Sequence, residues 1–91
     1  MKSFSINVQG KVQGVYFRHY ALQRALALGL KGFVKNQPDY SVQLEVEGEE
    51  KDLESFLEFC HRGSPQSNVL KVDVEEKEAR GFEKFWIEKE Q

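Results

Sequence analysis

The sequence predicts an α+β fold in which two helices pack on one face of an antiparallel sheet. Two observations indicate this class. The spacing of the hydrophobic residues changes along the chain between a period of two, typical of strands, and a period of three to four, typical of helices. Each predicted strand has one apolar and one polar face, so the helices need to cover only one side of the sheet.

Length and composition predict one domain over residues 1–91 and exclude several classes of protein. Hydrophobic residues make up 40% of the chain and include seven Phe, so a packed core is expected and the disordered class is excluded. The single cysteine, Cys60, excludes an intrachain disulfide and a zinc site built from several thiolates. No apolar run approaches the roughly 18 residues of a membrane span, and no signal peptide is recognised. We therefore expect a soluble, cytoplasmic protein with no membrane partner.

The charge balance argues against an extended anionic partner. Thirteen Lys and Arg against fifteen Asp and Glu give a net charge of -2, whereas nucleic-acid binding relies on a basic surface. A few correctly aimed donors can still create a local positive site on an acidic protein. The composition is therefore compatible with a small anionic ligand.

The first predicted elements are a strand and a helix. Apolar and polar residues alternate over residues 4–8, which is typical of a strand with one buried face. A loop that contains Gly10 and Gly14 follows, and helical spacing then predicts a helix over residues 17–28, closed by Gly29. The expected apolar stripe of this helix consists of Phe17, Ala21, Leu22, Ala25, Leu26 and Leu28.

A hairpin and a second helix come next. Strands over residues 32–36 and 42–46 flank a segment with turn composition. Acidic residues at 49–50 and basic residues at 61–62 suit the two ends of a helix, whose apolar residues are spaced i, i+3, i+4 and i+7. These apolar residues are Leu53, Phe56, Leu57 and Cys60.

Alternation predicts two last strands, one that buries Leu70, Val72 and Val74 and a short one that contains Phe85 and Ile87. The order is then strand, helix, strand, strand, helix, strand, followed by the short strand. This order matches the split βαβ, ferredoxin-like layout. Because that fold carries many unrelated activities, function must be argued from individual residues.

The segment from Val8 to Arg18 places glycines between the first strand and the first helix. Glycines there allow successive backbone N–H groups to point inward, and a helix N-terminus adds partial positive charge. Arg18 at the end of the loop can pair bidentately with phosphate oxygens. The segment is a candidate anion cradle; by spacing alone an ordinary turn is the commoner explanation.

Asn36 ends the strand that follows the first helix. In a split βαβ fold, parallel neighbouring strands present their carboxyl ends at one edge, so Asn36 is expected to face the loop after the first strand. An amide both donates and accepts hydrogen bonds, which suits orienting a water molecule. The alternative, a turn-forming Asn before Gln37 and Pro38, is favoured by residue type alone.

These two segments resemble the signatures of a known family. Residues 8–18 resemble the first acylphosphatase signature, in which V-Q-G-V is followed after one residue by an aromatic residue and Arg. Residues 32–36, with Val42 and Gly48, resemble the second signature. The predicted order of elements and the closing apolar residues extend the resemblance over essentially the whole chain.

The resemblance implies hydrolysis of the carboxyl–phosphate bond of a small acyl phosphate, with Asn36 orienting the attacking water and Arg18 and loop amides binding the phosphoryl group. The implied phosphate-binding residues are Gln13, Gly14, Val15, Tyr16, Phe17 and Arg18. Phosphoryl transfer depends mainly on positioning and charge stabilisation, which amides and an Arg supply. A carboxylate, whose conjugate acid has a pKa of about 4, leaves without a general acid. No metal and no cofactor are therefore expected.

Tyr40 departs from the second signature, which usually has Gly at this position. A Gly there suggests positive φ, and another residue in that conformation costs about 1 to 2 kcal/mol. Either Tyr40 accepts this strain or the turn is built differently, and the orientation of Asn36 depends on which. Phe33, where the family often has Trp, is interpreted as a packing substitution.

The remaining reactive side chains are interpreted as structural. His19 and His61 lack partners at metal-ligand spacing and are expected on helix surfaces. Cys60 and His61 are adjacent on a helix and point in different directions, which disfavours a thiolate–imidazole pair. Cys60 is expected in the core, and Trp86 on the sheet face away from the helices.

Two alternative functions are considered. An RNA-binding module of this fold stacks bases on aromatic residues of its open sheet face; here Phe33 and Trp86 are the only aromatics expected there, so no nucleic-acid partner is predicted. The other side chains expected on that face are Gln43, Glu45, Glu47, Lys71, Asp73 and Glu75. In the second alternative, the protein binds an anion in the cradle without hydrolysing it, or it acts on a related substrate such as carbamoyl phosphate. Nothing in the sequence requires more than a monomer.

Overall fold

The computed structural model of the chain describes residues 1–89. Its elements are β1 (Lys2–Lys11), α1 (Phe17–Leu28), β2 (Lys31–Asn36), β3 (Val42–Gly48), α2 (Glu50–Arg62), β4 (Asn68–Lys77) and β5 (Phe85–Ile87). The order of elements agrees with the prediction, and α1 has the predicted bounds and ends at Gly29 in a left-handed conformation. Neither of these two helices is long and apolar enough to cross a membrane.

The five strands form one sheet in the order β4-β1-β3-β2-β5. Neighbouring strands are antiparallel except β2 and β5, which are parallel, so the expectation of a purely antiparallel sheet is wrong. The physical reason is that β4 lies at the opposite edge, and the chain crosses the sheet before β5 pairs with β2. The strands β1 and β2 share a direction but are not neighbours, because β3 lies between them.

Both helices pack on one side of this sheet and contact each other. The inward residues of β1, Phe4, Ile6 and Val8, are buried beneath them. The rings of Phe17 on α1 and Phe59 on α2 lie 5.3 Å apart and join the two helices. The helix α1 contacts β2 and β5, whereas α2 contacts β1, β3 and β4. Because only residues 12–16 join the two elements, the start of α1 follows closely on the carboxyl end of β1.

Three apolar residues that were expected in the core are exposed. Leu26 follows Ala25 by about 100° around α1, which turns it to solvent. Leu70 is 75% exposed because β4 bulges there: Gln9 pairs with Lys71 and the next residue of β1 with Val69, which leaves Leu70 unpaired. Val74 is exposed because β4 is an edge strand.

The open face of the sheet is partly covered by the crossing segment, residues 78–84. Glu47, expected to be exposed on this face, is only 1% exposed. Its carboxylate accepts hydrogen bonds from the backbone N–H groups of Gly81 at 3.0 Å and Phe82 at 3.1 Å, and from that of Arg80. The guanidinium of Arg80 also forms a 3.7 Å ion pair with Glu45. Through these contacts the crossing segment is held against the open face of the sheet.

The open face also carries one more aromatic residue than expected. Phe82 lies 5.9 Å from Phe33 and 5.7 Å from Trp86, measured between ring centroids. Phe33 and Trp86 are register partners of β2 and β5, so they share this face as expected for Trp86. The three rings pack against one another, and the Arg80 guanidinium lies 4.8 Å from the centroid of the Phe82 ring.

The Glu47 contacts predict a large effect on stability. In Glu47→Gln, an amide NH₂ group replaces one of the two acceptor oxygens. The backbone N–H groups that it faces lose their acceptor, so we expect the free energy of unfolding to fall by about 2 to 3 kcal/mol. Urea denaturation measures it. Glu83→Gln changes the same charge at an exposed residue of the crossing segment and should change stability by less than about 0.5 kcal/mol. Equal stability of the two variants would contradict this role for Glu47.

Candidate active site

The loop between β1 and α1, residues 12–16, has the backbone of an anion-binding nest and is here called the cradle loop. Gly14 and Tyr16 have positive φ, 74° and 63°, on either side of Val15, which does not. This alternation turns successive N–H groups toward one side. In the part of the chain that the structure describes, the backbone N–H groups of residues 13–16 donate no hydrogen bond. The loop therefore presents several free donors together.

The N-terminus of α1 adds positive potential to the cradle loop. Tyr16, its N-cap residue, provides no side-chain cap, and the first turn contains no acidic residue. Neither a capping side chain nor a first-turn carboxylate therefore compensates the partial positive charge of the helix end. Arg18 lies in this first turn, which brings its guanidinium to the same end of the helix.

A cavity of about 520 Å³ opens at this point. It is lined by Val12, Gly14, Tyr16, Phe17, Arg18, His19 and Ile87. The cradle loop, the first turn of α1 and β5 therefore contribute to one cavity. Among residues 1–89, the ionisable side chains that line it are those of Tyr16, Arg18 and His19. Of the residues implied by the sequence, Gln13, Val15 and Asn36 do not line it.

Gln13 has a structural role that its sequence position did not reveal. Its side-chain Nε2 donates to the carbonyl oxygens of Gln37 at 2.9 Å and Ser41 at 2.8 Å. These two carbonyls belong to the turn between β2 and β3, directly after Asn36. The side chain of Gln13 is therefore committed to joining the cradle loop to this turn, and only its backbone N–H is available to a ligand.

Asn36 lies at the end of β2, on the same side of the sheet as the helices. It pairs with Val42, which in turn pairs with Val8 of β1, so the three residues form one row across the sheet. Val8 and Val42 are fully buried, and Asn36 is 7% exposed. Its Oδ1 is buried and accepts no hydrogen bond from residues 1–89. A buried acceptor without a partner is rare in a folded protein and points to a ligand or water.

Tyr40 has a φ of 71°, which is the left-handed conformation expected at a position where the second signature usually has Gly. Tyr40 is 76% exposed, so packing compensates little of the strain. The turn is instead held by Asp39, whose carboxylate accepts hydrogen bonds from the hydroxyl and the N–H of Ser41. These bonds hold the pKa of Asp39 below its usual value. Asn36, four residues before Tyr40, is paired with Val42 in the regular register of the hairpin.

Ser64 is a residue of the site that the sequence did not reveal. Its hydroxyl donates a 2.7 Å hydrogen bond to the carbonyl of Val15, and both residues are buried. Ser64 follows α2 and is distant from the cradle loop in sequence, so no local pattern could have identified it. The contact fixes one peptide group of the loop and thereby the direction of the neighbouring N–H groups.

Removal of this hydroxyl should weaken anion binding. In Ser64→Ala the Val15 carbonyl is left without its partner, and we expect a loss of about 1 to 2 kcal/mol in stability and a rise of roughly tenfold in the inhibition constant for inorganic phosphate. Enzyme assays with phosphate as inhibitor measure the second effect. Ser55→Ala, at a half-buried residue of α2, is the control. An unchanged inhibition constant in Ser64→Ala would contradict the positioning role.

The two histidines and Cys60 lie where their sequence positions predict. His19 and His61 are exposed on helices, and Cys60 is fully buried. Burial raises the pKa of the Cys60 thiol, which disfavours the nucleophilic thiolate. Among residues 1–89, no group of three or more His, Cys, Asp or Glu side chains is arranged to hold a metal ion.

Comparisons with known proteins agree with the resemblance. Residues 4–87 match the family model described as Acylphosphatase. A protein of that name from Shewanella amazonensis is 46% identical over 79 residues, covering 87% of each chain. Another from Thermotoga petrophila is 44% identical over 87 residues, covering 96% of this chain and 97% of the relative. The crystal structure of acylphosphatase from Bacillus subtilis is similar, with a TM-score of 0.95, 39% identity, and coverage of 98% of this chain and 100% of that one. The chain therefore belongs to the acylphosphatase family of hydrolase enzymes.

Proposed function

We propose that the protein hydrolyses the carboxyl–phosphate bond of small acyl phosphates to give a carboxylate and inorganic phosphate. The observation that carries the proposal is the set of free N–H groups of residues 13–16 beside Arg18, at a helix end without a cap. Oriented donors of this kind match the three terminal oxygens of a phosphoryl group. Membership of the acylphosphatase family supports the choice of an acyl phosphate.

In the proposed reaction, Arg18 and the N–H groups from Gln13 to Arg18 bind the phosphoryl oxygens. The guanidinium pairs bidentately with two oxygens, and the amides donate to the remaining lone pairs. These donors are in place before the substrate arrives, so they stabilise the charge that spreads over the oxygens in the transition state without further reorganisation.

Asn36 orients the water in this proposal. The water donates one hydrogen bond to the unpartnered Oδ1, which directs an oxygen lone pair at phosphorus. The new P–O bond forms as the bond to the carboxyl oxygen breaks, and the electron pair of that bond leaves with the carboxylate. Both protons of the water remain on the product, dihydrogen phosphate, so atoms and charge balance.

This chemistry requires neither a metal nor a cofactor. The leaving carboxylate is a weak base whose conjugate acid has a pKa of about 4, so no general acid has to protonate it. Water, the cradle donors and Asn36 then complete the set of groups that the reaction needs.

We also propose that residues 1–91 act as one domain with ferredoxin-like topology, as a monomer and in the cytoplasm. The strand order and the family match over residues 4–87 support the first statement. The monomer is supported by the cavity at Arg18, to which three elements of one chain contribute. The single, buried Cys60 suits a reducing compartment.

Phosphate release from benzoyl phosphate in the presence of excess chelator tests the function. We expect hydrolysis at a rate that the chelator does not change, and saturation of the rate with substrate. Inorganic phosphate should inhibit competitively, since the same donors bind substrate and product. Measurable phosphate binding without hydrolysis would instead support a non-catalytic anion sensor.

A further inference from the structure

A second cavity, of about 530 Å³, lies between α1 and the end of α2. The lining residues that bear on its ligand are Tyr20, Gln23, Arg24, Ala27, Arg62 and Pro65. None of these residues lines the cavity at Arg18. We propose that this second cavity binds a small organic anion with two or more negative charges, in the manner of a nucleoside phosphate.

The charges that line the cavity favour an anionic ligand. Arg24 of α1 and Arg62 of α2 both contribute to its wall, and no acidic side chain does. Within residues 1–89 neither Arg forms an ion pair, whereas Arg80 is paired with Glu45. Two unpaired guanidinium groups on one cavity of a protein with a net charge of -2 create a local positive potential.

The other lining residues favour a ligand with an organic part. Tyr20, Ala27 and Pro65 supply an aromatic ring and two apolar surfaces, and Gln23 supplies a polar amide. The volume of about 530 Å³ is in the range of cavities that hold a small organic molecule. An aromatic base can pack against Tyr20 while the phosphate pairs with the guanidinium groups, because Tyr20 and Arg24 are four residues apart on one helix.

The cavity is separate from the cradle but next to it. Ser64 lines the second cavity, and its hydroxyl donates a hydrogen bond to the carbonyl of Val15 in the cradle loop. Because the two cavities have no lining residue in common, a ligand bound at Arg24 and Arg62 leaves the donors of the cradle loop free. We therefore expect it to bind without competing with inorganic phosphate.

Calorimetric titration with adenosine monophosphate tests the proposal. This probe has no anhydride bond, so the proposed hydrolase activity does not consume it. We expect the double variant Arg24→Gln/Arg62→Gln to bind it at least tenfold more weakly than the wild-type chain, while hydrolysis of benzoyl phosphate is unchanged. The control Lys31→Gln/Lys51→Gln removes two positive charges from exposed residues that form no ion pair among residues 1–89, and should alter binding less than twofold.

The variant Arg18→Gln separates the two cavities. Binding of adenosine monophosphate should persist in this variant and should not be displaced from the wild-type chain by inorganic phosphate. Three results would overturn the proposal: no binding to the wild-type chain, equal weakening in the Arg and Lys double variants, or loss of binding in Arg18→Gln. The last result would place the probe in the cradle.

Discussion

Replacement of Arg18 by Ala is expected to lower kcat/KM for benzoyl phosphate by about a thousandfold or more. An Arg that compensates the charge of a transferring phosphoryl group commonly contributes effects of this size. Both ground-state and transition-state binding use the guanidinium, so the inhibition constant for inorganic phosphate should rise in parallel. Steady-state kinetics with phosphate as a competitive inhibitor measures both quantities.

Arg24→Ala provides the matched control for this experiment. Arg24 lies on the same helix and lines the second cavity instead of the one at Arg18. The same charge is therefore lost from α1 without loss of a cradle donor, and kcat/KM should stay within about twofold. Similar losses in both variants would show that the overall charge of the helix matters, and would contradict a specific role for Arg18.

Asn36→Ala should lower kcat by about a hundred- to a thousandfold, the size of effect seen when one aimed hydrogen-bonding group is removed from an active site. The inhibition constant for phosphate should change little, because Asn36 is proposed to hold the water rather than the phosphoryl group. Separate measurement of kcat and of phosphate inhibition distinguishes this pattern from that of Arg18→Ala.

The stability of Asn36→Ala provides an independent readout. Since the Oδ1 of Asn36 accepts no hydrogen bond from residues 1–89, its removal leaves no protein donor without a partner. We therefore expect the variant to unfold at the same urea concentration as the wild-type chain, or at a higher one. Asn68→Ala, which replaces an exposed residue of the edge strand β4, should leave both activity and stability unchanged. Full activity of Asn36→Ala would exclude the proposed role.

Local sequence patterns predicted the elements because burial in a strand or helix follows a short repeat. The bounds of α1 and the buried face of β1 depend only on residues within one element. Pairings between distant segments leave no such repeat. Three features depend on how the strands are ordered in the sheet. They are the bulge that exposes Leu70, the parallel pairing of β5 with β2, and the hydrogen bonds from the crossing segment to Glu47.

Only part of the candidate site could likewise be predicted from local sequence. Arg18 and Asn36 became candidates because the two segments that resemble acylphosphatase signatures contain them, and the structure places Arg18 in the first turn of α1 and Asn36 at the end of β2. The groups that hold the cradle loop in place were not found. The side chain of Gln13 and the hydroxyl of Ser64 bond to backbone carbonyls, and any residue type offers a carbonyl, so the sequence contains no mark of either contact.

The attachment of β5 has a consequence for the motions of the site. Ile87, which lines the cavity at Arg18, belongs to a strand of three residues at the edge of the described sheet, where β2 is its one neighbour. The cradle loop, in contrast, is fixed at both Gln13 and Val15 by buried or half-buried hydrogen bonds. Short edge strands open at low free energy, without global unfolding. Backbone amide exchange should therefore be faster in β5 than in β1 and β3, so that one wall of the cavity moves while the donors opposite it stay fixed.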